Sequence, residues 1–140
     1  MKKEFINLEK ICNLMKILQI NSVINRGSTG RITENIGLSI IKEGWNSYIA
    51  YGRGDKNQSK SHTYRIGDTL SNLFHVLGTR LIDRHGFFSK KETDKLIEKI
   101  KKVQPDLIHL HNIHGYYLNI EVFFNYLSKV NTPVVWTLHD

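Results

Sequence analysis

Four short apolar runs, "MKILQINSV" (15–23), "NSYIAYG" (46–52), "DLIHLHN" (106–112) and "VVWTLH" (134–139), alternate with segments of helical period, and no other feature restricts the fold as much. Each run is apolar along its length and too short for an ordinary helix, so each reads as a strand, the first of them buried. Between them, Ile32, Ile36, Ile40 and Ile41 mark a helix over 29–43, with Gly44 where a C-cap belongs. Leu70, Leu73, Phe74, Leu77 and Leu81 mark another, capped by Asp68 or Thr69. The spacing Ser89-x-x-Glu92 predicts a capping box for a third, which buries Leu96, Ile97, Ile100 and Val103 and ends at Pro105. Ile120, Phe123, Phe124 and Leu127 mark a fourth over 120–130, while 53–62, "RGDKNQSKSH", reads as polar loop. Strands alternating with helices imply βαβ units with right-handed crossovers. The expected fold class is α/β: a Rossmann-like parallel sheet with helices on both faces.

At 140 residues and 40% hydrophobic, the chain is long enough for one domain with its own core and too short for two. Because the first strand begins at Met15, residues 1–14 are expected to be a peripheral N-terminal extension and 15–140 the domain. Cys12 is the only cysteine, which excludes an internal disulfide or a cysteine metal site. No run of about 18 apolar residues exists to span a membrane. The opening "EFINLEKICNL" is broken by Asn7, Glu9, Lys10 and Asn13, so no signal peptide is expected and a cytoplasmic protein is the simplest reading.

Twenty Lys and Arg against 13 Asp and Glu give a net charge of +7, which favours anionic partners: phosphates, nucleic acid or acidic headgroups. Lys90, Lys91, Lys95, Lys99, Lys101 and Lys102 read as the wet face of an amphipathic helix. No aromatics are interleaved to stack on bases, so nucleic acid is not an expected partner.

In such a sheet, ligands sit beyond the carboxyl ends of the strands. Three of those ends are polar here. After the first strand, Gly27, Ser28, Thr29, Gly30 and Arg31 form a Gly-x-x-Gly corner that opens a helix. Such a corner suits a phosphate or a sugar hydroxyl, or else is a tight turn that needs glycine for its own backbone angles. It is neither a Walker A loop nor a Gly-x-Gly-x-x-Gly fingerprint. Arg53 after the second strand leaves an NADP-dependent oxidoreductase as a minor alternative.

The second end carries His109, His111, Asn112 and His114. Three histidines so close invite zinc, but neither a carboxylate nor a cysteine lies at ligand spacing, so no metal is expected. His109, in mid-strand, reads as structural; His111 and His114 read as hydrogen-bonding to a sugar or phosphate. The third end finishes on His139 and Asp140, an imidazole and a carboxylate over the same crevice. Without a Gly-x-Ser-x-Gly elbow, a serine hydrolase is not supported.

The stretches "MKILQINSVINRGSTGRITENIGLSIIKEGWNSYIAYGR", "PDLIHLHNIHGYYLNIEVFFNYL" and "TPVVWTLHD" together resemble the N-terminal domain of family 4 glycosyltransferases, nearest in flavour to bacterial enzymes of capsule, colanic-acid-like or lipopolysaccharide synthesis. The resemblance implies half of a GT-B fold and a retaining, nucleotide-sugar-dependent transferase without cofactor or metal. Its partners would be a nucleotide-sugar donor and a glycan or lipid-linked acceptor. It also implies that the glycine corner meets the donor diphosphate, while His111, Asn112, His114, His139 and Asp140 line the acceptor side, the last two as catalytic residues. The family's C-terminal donor-binding domain, with its paired glutamates, has no counterpart among these 140 residues, so the fragment is expected to be inactive alone. The basic helix at 89–103 would give peripheral contact with the inner membrane. The alternative of another class is a non-catalytic Rossmann-like module that binds an anionic or nucleotide ligand.

Overall fold

The computed structural model describes residues 14–54, 58–67, 89–114 and 117–139. The N-terminal extension apart from Leu14, the helix expected over 70–81 and Asp140 lie outside the described residues. The elements run β1 (Lys16–Asn21), α1 (Gly27–Lys42), β2 (Asn46–Tyr51), β3 (His62–Arg65), α2 (Lys90–Val103), β4 (Leu107–Leu110), α3 (Ile120–Leu127) and β5 (Val134–Trp136). The five strands form one sheet in the order β3-β2-β1-β4-β5, and every pairing is parallel. This is the Rossmann-like α/β fold expected from the sequence. The order places the first strand centrally, so its carboxyl end lies beside those of β2 and β4.

Alternation along the strands divides the side chains between two faces. Leu18, Ile20, Ala50, Ile108 and Leu110 join Leu96, Ile97 and Ile100 of α2 and Phe123 of α3 in the main apolar core. The opposite face is polar at its centre. Gln19 and Ser47 are buried there, and Gln19 Nε2 donates to the carbonyl of Thr33 in α1 at 3.0 Å. Helices therefore cover both faces.

Two expectations about helices change in detail. The isoleucines of α1 do not define its packed face: Ile32 and Ile41 are exposed, while Gly30, Thr33, Glu34, Gly37 and Ile40 are buried. Small residues let α1 lie close on the sheet, and a Cβ at Gly37 would press on the hydroxyls of Ser47 and Ser61. The capping box of α2 does not form either. Ser89 is left-handed, with φ 62°, and its side chain makes no cap bond. Its carbonyl instead accepts from Thr93 N at 3.0 Å and from Thr93 Oγ1 at 2.9 Å. All six lysines of that helix are exposed, as read.

β3 was not expected. His62–Arg65 sits at the edge of the sheet, where one row of backbone groups needs no partner strand and side chains need not be apolar. The C-terminal signal of α1 was correct. Gly44 N donates to Ile41 O at 2.9 Å and Trp45 N to Ile40 O at 3.1 Å, the paired bonds of a Schellman cap. Gly44 has φ 79° with open space around its α-carbon. Gly44→Ala is therefore expected to cost about 1 kcal/mol through backbone strain alone, read as a lower urea midpoint at unchanged slope.

Candidate functional site

Parallel pairing brings all five carboxyl ends to one edge. There the chain crosses from strand to strand by backbone bonds: Gly52 N donates to Asn21 O, Arg53 N to Ser22 O, and His111 N to Ile20 O at 3.2, 2.7 and 2.9 Å. Asn21, the last residue of β1, accepts from Asn112 N through Oδ1 at 3.3 Å and donates through Nδ2 to Val23 O at 2.9 Å. It thereby ties the β1–α1 corner to the loop after β4.

At that corner Arg26 caps α1 without a side-chain bond, and the first turn contains no acidic residue. Gly27, Ser28 and Arg31 are exposed and Thr29 is half-buried, whereas Gly30 is buried. Both glycines have backbone reasons of their own. Gly27 has φ 63°, and a Cβ on Gly30 would sit 3.1 Å from both Asn25 N and the Val23 side chain. The first turn nonetheless leaves N–H groups uncapped by any side chain and a positive dipole end, both suited to an anion.

The histidines form a connected group. His109 and His111 share one face of the strand end, with ring centroids 4.0 Å apart. His111 Nδ1 lies 3.1 Å from His139 Nε2, and its Nε2 lies 3.0 Å from Gln19 Oε1. His109 Nε2 is 2.8 Å from the Thr137 hydroxyl. The register that pairs His109 with Val135 and Leu110 with Trp136 makes these contacts possible, since it runs the segment after β5 alongside the end of β4. Trp136 Nε1 also donates to the His111 carbonyl at 3.0 Å.

His111 is only 1% exposed, and both ring nitrogens are engaged inside the protein. It meets the surface through His139, which is half-buried. Burial first, then the neighbouring His109 and His139, lowers the pKa of His111 to about 3, so the ring is neutral at pH 7. Burial, with His139 nearby, lowers that of His109 as well.

His114 is exposed, apart from this group. Asn112 leaves its Oδ1 buried and unbonded. Its carbonyl accepts from the hydroxyl of Tyr117 at 2.9 Å. That ring is fully buried and its pKa is raised by the burial, so the phenol keeps its proton and braces the loop. Among the described residues, no group of three or more His, Cys, Asp or Glu could hold a metal ion, and no helix is long and apolar enough to cross a membrane.

Gln19 and Asn21 belong to this edge and were passed over in the sequence. The signal was present: two polar residues, two apart, in the otherwise apolar "KILQIN". Alternation puts them on the face that carries His109 and His111.

In open parallel α/β sheets, ligands bind in the crevice beyond the carboxyl ends of the strands, the edge that carries these polar groups here. The comparisons narrow this. In an alignment of 137 residues taking in 90% of this chain, the sequence is 24% identical to the "Putative colanic acid biosynthesis glycosyl transferase WcaC" of Escherichia coli (strain K12). The alignment takes in 33% of that protein, so the chain spans about a third of its relative. No protein-family profile matches the chain, and no solved structure matches it significantly. The similarity supports a glycosyltransferase relationship.

Proposed function

We propose that this chain is the acceptor-side half of a retaining, nucleotide-sugar-dependent glycosyltransferase of bacterial surface polysaccharide synthesis, of the GT-B, family 4 type. The similarity to the E. coli protein over nine-tenths of this chain carries the reading, and the polar carboxyl edge fits it. In this reading the α1 N-terminus, from Gly27 to Arg31, meets the donor diphosphate when the cleft closes. His139 and Asp140, which follows it in sequence, are assigned with Asn112 and His114 to the acceptor, a glycan or a lipid-linked sugar. Transfer needs both substrates held in one water-poor cleft, and its leaving diphosphate needs stabilising from the second wall. Since the relative is about three times as long as the matched region, that wall is assigned to a donor-binding half outside these residues. The exposed lysines of α2 would bring the enzyme to an anionic membrane surface.

The test is release of nucleotide from UDP-, GDP- and ADP-sugars. The 140-residue chain alone is expected to give no sustained turnover. A protein that joins it to a donor-binding half is expected to turn over one of the donors, and His139→Ala to lower that rate by about 100-fold. No turnover of any donor by the joined protein would contradict the transferase reading. Turnover by the chain alone would contradict the division into halves.

A further inference from the structure

The hydrogen bonds around Gln19 have a direction. Its Nε2 donates to the Thr33 carbonyl, which has no proton to give, at 3.0 Å. Its Oε1, which can only accept, lies 3.0 Å from His111 Nε2. Turning the amide over would set its oxygen against the Thr33 carbonyl, acceptor to acceptor, in a site where Gln19 is fully buried. His111 Nε2 therefore carries the proton. In a neutral ring Nδ1 is then a lone pair, so His139 Nε2, 3.1 Å away, must be its donor. A neutral His139 has spent its one proton there. Its Nδ1 has no hydrogen-bond partner among the described residues.

We propose that Gln19 is a positioning residue: through Thr33 and His111 it fixes the tautomer of His139, so that His139 offers Nδ1 as an acceptor for a ligand hydroxyl and not as a donor to a phosphate. This rests on the reading of the carboxyl edge as a sugar site, but the tautomers themselves need no ligand. A sugar or acceptor alcohol brings a proton to Nδ1 and finds a lone pair; a phosphate oxygen finds another acceptor and is left to the N–H groups of α1. The low pKa of His111 supports the relay, because a charged His111 would donate from both nitrogens and reverse the bond. His109, whose Nε2 is held by Thr137, is the other titratable group against that ring.

Long-range proton–nitrogen correlation spectra of the 15N-labelled chain at pH 7.5 read the tautomers directly. The expected spectrum has both His111 and His139 protonated at Nε2, with Nδ1 of each in the unprotonated range. Gln19→Leu removes the acceptor and is expected to move His111 to mixed or averaged tautomer shifts. Nδ1–H or charged His111 in the native chain would overturn the proposal, as would a folded Gln19→Leu with unchanged His111 shifts. Should Gln19→Leu fail to fold, the native spectrum still decides. Because no substrate is added, this result stands or falls separately from the turnover assay.

Discussion

Gly52→Ala is expected to destabilise the protein by roughly 3 kcal/mol, the upper range for overpacking a well-filled core. Gly52 follows β2 directly, and its N–H is held by the carbonyls of Asn21 and Ser22. A methyl group there would overlap the Cβ and ring of Tyr117. Neither partner can retreat. The backbone of Gly52 is fixed by β1, and Tyr117 is 0% exposed with its hydroxyl on Asn112 O. The glycine is needed for room and not for its backbone angles. Urea unfolding of Gly52→Ala, Tyr117→Ala and the double variant tests the cause: the two costs should be strongly less than additive, because truncating Tyr117 clears the space for the methyl. Additive costs, or a Gly52→Ala cost under about 1 kcal/mol, would show that the packing of this corner has been misjudged.

Acid is expected to unfold the protein through His111. Its pKa lies at about 3 in the folded chain, against 6.5 for an ordinary histidine. As pH falls, the unfolded chain therefore takes up the proton first, and folding loses ground between about 6.5 and 3. The histidine's contribution is complete above that window. Within it, each pH unit costs about 1.4 kcal/mol, so two units remove a large share of the stability of a small domain. His109, also lowered, acts in the same sense. Urea midpoints from pH 7.5 to 4.5 should fall steeply in the native chain and less steeply in His111→Gln. Parallel curves would mean that acid acts elsewhere.

Much of this fold was legible because parallel strands are buried on both faces. "KILQIN" and "NSYIAY" have few other roles open to them, and the glycine after α1 marks its end unambiguously. β3 was hidden because an edge strand of His, Thr, Tyr and Arg carries no apolar signature. The face of α1 was misjudged because it packs through glycines and Thr33 onto a polar seam, where the isoleucines are poor guides. The Ser89 box failed because that residue is left-handed, which no spacing rule reveals.

At the edge of the sheet, His111 and His139 stand out as polar strand ends. Their bond does not, since it depends on the register of β4 against β5. Gln19 was missed for a related reason: a polar residue within a strand gains meaning only when the strand beside it is known.

The most direct test of the site is a titration of the 15N-labelled 140-residue chain with UDP-, GDP- and ADP-sugars, followed by amide shifts, which register even weak binding. The expected changes fall at residues 27–31, the part of the carboxyl edge assigned to the donor diphosphate, for at least one donor. Changes confined to the opposite edge, around Lys16, Asn46 and Asp106, would contradict the assignment of this edge as the substrate site.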